Sequence, residues 1–244
     1  MIALGEPGMF SKSEAFYDAI YGTMKDYARE AEQIRELIQQ YKQSSGTTLL
    51  DVACGTGRHI PFLRQHYTVE GLDLDEHMLA IAHQRNPGII FHHADMVDFD
   101  LGHLFDVIVC LFSSIGYVKT AARLYQTLQT MHRHLPPGGV VIIEPWLTPQ
   151  MYHAGHIGAV FVDQPELKIA RMNKSEVTDG ISIMDFHYLV ATPEGIEHFT
   201  ERHELGLFSH EDYLEAFQAS GLEVVHDPDP EKLMGGGVYL GVRR

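Results

Sequence analysis

Leu49-Leu50-Asp51-Val52-Ala53-Cys54-Gly55-Thr56-Gly57-Arg58-His59 decides how the rest of the chain is read. An apolar run with an aspartate near its end enters a small-residue loop carrying two glycines, and Arg58 to Leu63 then opens a helix. Strand, tight glycine turn and helix start form the geometry that brings bare backbone against a cofactor. A pyrophosphate fingerprint needs a third glycine at position 60, which is Ile60, and the phosphate-loop Lys-Ser/Thr pair is missing. The loop therefore suits a nucleotide without phosphate, S-adenosyl-L-methionine (SAM), whose amino-acid end can lie on glycine backbone. Taken alone, it also fits a plain turn in an NAD or flavin protein, or a turn with no ligand.

Residues 47–53 read as the first strand, followed by a short helix with Pro61 near its start, where proline is tolerated. Val69 to Leu74 reads as the second strand. Asp73 follows Gly55 by 18 residues, near the ~20 expected of an acid that binds ribose hydroxyls. A carboxylate can accept two hydrogen bonds from a vicinal diol. Asp75 is an N-cap for a helix from Glu76 to Gln84, and Met78, one turn in, is placed to pack on a purine. Gly88 to His92 is a third strand. Asp95-Met96 lies just beyond it, an acid to accept from an exocyclic amine and an apolar side chain for the ring. Phe105 to Leu111 is the continuous apolar run of a strand covered on both faces, and it leads into Phe112-Ser113-Ser114-Ile115-Gly116-Tyr117. Ala121 to His134 is helical. Pro136-Pro137-Gly138-Gly139 is a turn, and Val140 to Glu144 a fifth strand closed by Pro145-Trp146. Strands alternating with helices give a doubly wound α/β sheet, with ligands at the strand C-terminal ends. The candidate cofactor residues are Tyr21, Asp51, Ala53, Gly55, Gly57, Asp73, Leu74, Met78, Asp95, Met96 and Leu111.

On the N-terminal side, residues 11–43 read as helical, with Tyr27, Ala31, Ile34, Ile38 and Tyr41 on one face. An aromatic cluster, Phe16, Tyr17 and Tyr21, precedes a break at Gly22-Thr23, which suggests two helices with a hinge and a lid over the cofactor. From Leu147 to about Leu207 the pattern changes to β-rich alternation. The segments are Ala159–Val162, Leu167–Val177, Ile181–Val190 and Gly195–Glu204, with hairpin signals at Asp179-Gly180 and Pro193-Glu194-Gly195. They read as an antiparallel insertion over the strand ends, a substrate wall or dimer surface. Ser209-x-x-Asp212 is a capping box for a helix Tyr213 to Ala219 ended by Gly221, and Leu222–Val225 and Val238–Val242 are the last strands. The organisation is one domain: a helical lid over 1–43, a cofactor half over 44–146, the insertion over 147–207, and a last helix and strands over 208–244.

Composition narrows the function classes. The 244 residues are 45% hydrophobic and 21% charged, as in an ordinary globular domain. The net charge of -15 has no basic run against it, which disfavours nucleic acid and anionic membrane as partners. No stretch approaches the ~18 apolar residues of a membrane span. Met1 to Phe10 has no signal-like pattern, and two cysteines, Cys54 and Cys110, read as free thiols. A cytoplasmic location is the expectation. The sixteen histidines are scattered, with no His-Glu-x-x-His or Cys-x-x-Cys, and no metal is expected.

Leu49–Gly57, Gly71–Asp75, Asp95-Met96, Phe105–Leu111 and Leu135–Glu144 stand in the order and spacing of the class I SAM-dependent methyltransferases, which this chain resembles. The resemblance implies a Rossmann-like seven-stranded sheet with one reversed strand at its edge. A narrower resemblance rests on Phe16-Tyr17-Asp18, Tyr21, Lys25-Asp26-Tyr27, Phe112 to Tyr117, Glu144-Pro145-Trp146, His198-Phe199 and Leu207-Phe208. These are similar to the bacterial enzymes that dimethylate the amine of TDP-linked 3-amino-deoxyhexoses for macrolide antibiotics. It implies a tyrosine at Tyr21 beside the reacting methyl, an acceptor-site role for Tyr117, and a homodimer. Where that family usually has Arg-Gly-Leu near its C-terminus, this chain has Gly236-Gly237-Val238, without the arginine available to bind phosphate; Met151–Ile169 also departs from the family pattern.

In-line methyl transfer needs alignment more than activation, and holding the partners in line supplies roughly 7–11 kcal/mol. The expected catalytic residues are Tyr21, which positions methyl and amine, with Tyr117 and Tyr17 shaping the pocket. Tyr117, Glu144, Trp146 and His198 are the expected substrate residues, and His203 joins His198 as a candidate proton acceptor. The substrate is a small-molecule amine, a TDP-amino sugar on the narrower resemblance. The rival readings are an N- or O-methyltransferase of another small acceptor and a non-catalytic SAM-binding protein. A base-flipping signature is missing at Phe112-Ser113-Ser114-Ile115.

Overall fold

The computed structural model describes residues 13–22, 25–229 and 237–244. The expected break separates α1 (Tyr17–Tyr21) from α2 (Tyr27–Tyr41), and Asp26 caps α2 by accepting from the Arg29 backbone N–H. Thr23 and Gly236, which carry part of the hinge and of the C-terminal departure, lie outside the described residues. Tyr27, Ala31, Ile34 and Ile38 are buried as one face of α2, joined by Leu37 and Glu30.

Seven strands form the main sheet: β1 (Thr48–Val52), β2 (Thr68–Asp73), β3 (Ile90–His93), β4 (Val107–Cys110), β5 (Val140–Ile143), β10 (Leu222–Asp227) and β11 (Val238–Arg243). The order is β10-β11-β5-β4-β1-β2-β3. β11 runs antiparallel to both its neighbours and opposite to the other six strands. It sits between β5 and β10, so the reversed strand is second from the edge rather than at it. Helices α3 (Ile60–Leu63), α4 (Glu76–Arg85), α5 (Ala121–Arg133) and α6 (His210–Ala219) complete the layers. The apolar strand runs are explained by cover on both faces. Leu50, Val52, Ile108 and Ile143 pack towards Leu124, Leu128 and Met131 of α5. Leu49, Val107, Val109 and Ile142 pack towards Ile34 and Ile38 of α2. Strand order reverses at β1 and β4, and the crevice at such a switch is where ligands bind in doubly wound sheets.

The insertion is a second sheet, β6 (Ile157–Gln164), β7 (Leu167–Thr178), β8 (Ile181–Thr192) and β9 (Gly195–Gly206), in that order and antiparallel throughout. Asp179 and Gly180 both take positive φ, as a two-residue hairpin between right-twisted strands requires. The strands run longer than the alternation alone indicates, because cross-strand pairing extends regular structure past the apolar residues. The inner face carries Ile169, Phe186, Tyr188 and Phe199, and Ile20 of α1 packs into that cluster. The short leading helix is thus held between the insertion and the crevice. The Ser209–Asp212 capping box is formed in both directions at the start of α6. No helix among the described residues is long and apolar enough to cross a membrane.

Candidate active site

The cofactor-type loop leaves β1 through three residues with positive φ: Ala53 (55°), Gly55 (54°) and Gly57 (69°). The two glycines serve different ends. A Cβ on Gly57 would lie 2.7 Å from Asn86 Nδ2, so this glycine lets loop and α4 approach. A Cβ on Gly55 would meet nothing within 4 Å, so this glycine presents bare backbone to open space. Asp73, at the end of β2, ties the loop down. Its carboxylate accepts from Gly55 N–H at 2.7 Å and from Asp75 N–H at 2.9 Å. Asp75 in turn accepts from the His77 and Met78 N–H groups and starts α4.

One cavity of about 1000 Å³ opens in front of this loop and continues beneath the inner face of the insertion. Ala53, Gly55, Asp73, Leu74, Met78, Asp95 and Met96 line its near end, and Tyr17, Tyr21, Tyr117 and Trp146 line its far part. The structure therefore brings together most of the residues singled out in the sequence. Five fall elsewhere. Gly57 is buried behind the loop, and Leu111 is a core residue of the face covered by α2. Asp51 is buried beneath the loop in β1. Glu144 is buried too, and its carboxylate accepts from Phe112 N–H at 2.5 Å; it supports the turn at Phe112 and Ser113, both with positive φ, instead of facing the cavity. His198 is a correction: it is exposed on the outer face of β9, stacked at 5.8 Å on His187. Strand alternation turns it away from Phe199, Glu201, His203 and Leu205, which face inward.

Electrostatics divide the cavity. Beneath the loop, burial and the neighbouring Asp73 push the Asp51 carboxyl up to about 8. Burial also raises Asp73 above the usual carboxylate range. No basic side chain of the described residues pairs with either. The far part is aromatic and cationic. Arg171 of β7 is buried, donates to the Tyr21 hydroxyl at 2.7 Å, and stacks its guanidinium over Tyr21 and Phe186 at 5.1 and 4.6 Å. Tyr21 packs edge-on against Phe112 at 5.2 Å and lies 4.6 Å from Tyr17. Trp146 donates from Nε1 to Ser182 Oγ at 3.0 Å, which fixes its ring. Tyr117 lies 2.8 Å from His203 Nδ1, and burial raises its hydroxyl well above the ordinary tyrosine range.

The near end fits SAM on its own geometry. It offers bare backbone at Gly55, a carboxylate with remaining acceptor capacity at Asp73, the methionines Met78 and Met96, and a second carboxyl buried below. Two carboxyls without a basic partner suit a ligand that brings positive charge. Asp73 would accept from its ribose or ammonium group, with Asp51 buried below, and the methionines would flank its base.

The methyltransferase-domain family profile matches residues 49–139, the loop through the turn before β5. Over 229 residues the chain is 40% identical to dTDP-3-amino-3,6-dideoxy-alpha-D-glucopyranose N,N-dimethyltransferase of Streptomyces fradiae, covering 93% of this chain and 89% of that one. The chain belongs to the SAM-dependent sugar N-methyltransferases. This methyltransferase superposes on the crystal structure of Streptomyces venezuelae DesVI with a TM-score of 0.87 at 38% identity, over 93% of its own length and 97% of that chain. Against SAM-bound CalS10, an amino pentose methyltransferase from Micromonospora echinaspora, the TM-score is 0.84 at 33% identity, over 94% and 97%.

Three site features of the methyltransferase escape sequence reasoning. Arg171 belongs to a strand whose position over the cavity no local pattern reveals. Arg123, from α5, pairs with Asp95 at 3.1 Å, so the expected adenine acid already has a partner. Asp18 of α1 accepts from Thr56 Oγ1 at 3.0 Å and pairs with Arg58 and Arg85, tying α1 to the cofactor loop.

Proposed function

We propose that this methyltransferase methylates the amino group of a nucleotide-linked amino sugar, adding two methyl groups in succession. The observation that carries the reading is one continuous cavity, with an anionic backbone-lined end and an aromatic end holding a buried arginine. Arg171 has no carboxylate within salt-bridge distance among the described residues, and a buried cation without a counter-charge is costly. A phosphate of the acceptor supplies that charge. Arg171 thereby takes the part of the arginine that Gly236 replaces. The names of the relatives, which act on dTDP-linked amino sugars, point the same way.

SAM supplies a sulfonium methyl for in-line displacement. The chain's own task is alignment. Arg171 and Phe112 hold the Tyr21 ring and hydroxyl at the junction of the two ends, with Tyr17 alongside. Trp146 and Phe186 shape the wall that orients the sugar. Arg171 also disfavours a protonated amine nearby, which keeps the nucleophile neutral.

A homodimer is supported by the outer face of the second sheet, where Phe161, Leu189 and Ile196 are exposed together. The free thiols Cys54 and Cys110 support a reducing, cytoplasmic setting. The deciding experiment compares kcat/KM for a dTDP-linked amino sugar with that for the same amino sugar freed of its nucleotide. The reading predicts a preference on the order of 100-fold for the linked form, two charge-assisted bonds' worth. Equal values would remove the nucleotide from the acceptor.

A further inference from the structure

From the far wall of the cavity three polar groups run inward in a row that alignment alone does not need, the first two of them lining it. Tyr117 lines the cavity from the helical turn Ser114–Val118. Its hydroxyl lies 2.8 Å from Nδ1 of His203. On the other side of that imidazole, Nε2 is 3.9 Å from Oε2 of Glu201. Both residues are on β9, two positions apart, and so on the same inward face. Both are nearly enclosed, at 3% and 8% exposure. Glu201 is fixed from behind, since its Oε1 accepts from the Ser13 N–H at 2.9 Å. The His203 ring is fixed edge-on against Phe186 at 5.1 Å.

We propose that Tyr117, His203 and Glu201 form a proton relay that deprotonates the acceptor amine inside the site, and that this relay is what permits a second methyl to follow the first. The inference rests on the amine-methylating reading given above. A primary amine that accepts a methyl becomes a secondary ammonium with one proton in excess, and in that state it has no lone pair for a second transfer. The excess proton passes from nitrogen to the Tyr117 oxygen as the Tyr117 hydroxyl proton passes to His203 Nδ1. The products are a neutral secondary amine, an unchanged tyrosine and an imidazolium facing the Glu201 carboxylate. Tyr117 stays neutral throughout, as its burial requires. The direction is set by Glu201, which favours the proton on Nε2 and leaves Nδ1 as the acceptor.

Other charged and titratable groups surround the relay. Tyr21 from α1, Tyr188 from β8 and Asp73 from β2 face Tyr117, and Arg171 from β7 stacks on the far ring, Phe186. The arginine opposes positive charge on the amine, and Glu201 accommodates it on the imidazole. Both bias the proton from the amine towards the imidazole.

Two measurements test the relay independently. The first is the nitrogen-15 NMR signature of His203 in the wild-type protein, assigned by its loss in His203→Gln. The relay requires the Nε2–H tautomer with Nδ1 accepting; an Nδ1–H tautomer overturns it. The second follows mono- and dimethylated products over pH for wild type, His203→Gln and Tyr117→Phe. In both variants the second methyl transfer should slow on the order of 10²-fold near neutrality, so that monomethyl product accumulates. The loss should shrink as pH rises and the ammonium deprotonates unaided. A product ratio and pH profile like those of wild type in both variants overturns the relay. Tyr117→Phe keeps the ring packing, so the test survives if His203→Gln does not fold. If wild type methylates no amine, the functional reading fails, and the tautomer still decides whether the hydrogen bond runs as stated.

Discussion

Arg171 on β7 donates to the hydroxyl of Tyr21 on α1 at 2.7 Å, joining two segments that flank opposite sides of the cofactor half in sequence. Through this bond the insertion sets the orientation of a tyrosine that lines the cavity. Tyr21→Phe keeps the ring against Phe112 and removes the acceptor. A hydrogen bond to a charged group is worth ~1.5–3 kcal/mol, and turnover is expected to fall roughly 10- to 100-fold. SAM affinity, measured by calorimetry, should stay within about threefold, because the loop and Asp73 are untouched. Unchanged turnover would remove Tyr21 from the chemistry.

Asp51 links stability to pH. Its carboxyl is pushed up to about 8 in the folded chain, against ~4 unfolded. The folded state therefore holds the proton more tightly. This contribution to stability is complete below about pH 4 and declines as pH rises towards 8. Denaturation curves of the cofactor-free protein should show that decline, and Asp51→Asn should flatten it. Binding of the cationic cofactor should strengthen over the same range as Asp51 ionises.

The two loop glycines should fail differently. Alanine at either position meets a left-handed backbone costing ~1–2 kcal/mol. At Gly57 the added methyl also presses on Asn86, 2.7 Å away, so Gly57→Ala should lower the melting temperature most. At Gly55 nothing of the chain is in the way. The methyl instead enters the cofactor's space, and Gly55→Ala should weaken SAM binding more than it lowers the melting temperature.

Asp18 latches α1 to Thr56 and Arg85. Asp18→Asn removes the charge from both contacts. Faster dissociation of SAM, on the order of tenfold for one charge-assisted bond, is expected in stopped-flow measurements, with the fold's melting temperature little changed. A dissociation rate equal to wild type would show that α1 does not gate the near end.

Much of this was legible in the sequence because it is local. The loop from Ala53 to Gly57, the spacing to Asp73, the Asp75 cap and the Ser209–Asp212 box each depend on residues close together along the chain. Arg171 and Arg123 were not legible, since each reaches its partner only after a sheet or helix has folded across the cavity. The strand's alternation already carries the signal that separates His198 from His203. Counting by twos from the apolar Phe199 and Leu205 places His203 inward and His198 outward. Glu144 has no such signal: a carboxylate at a strand end lines a crevice or holds a turn, and here the strained backbone at Phe112 and Ser113 takes it.

The central claim is that this chain transfers methyl groups from SAM to the amine of a nucleotide-linked sugar. Mass spectrometry of the purified protein with SAM and a panel of dTDP-amino sugars, simple amines and phenols tests it most directly. The account predicts that only the dTDP-amino sugars gain one and then two methyl groups. Methylation confined to the simple amines or phenols, or no product while SAM is bound, would contradict it.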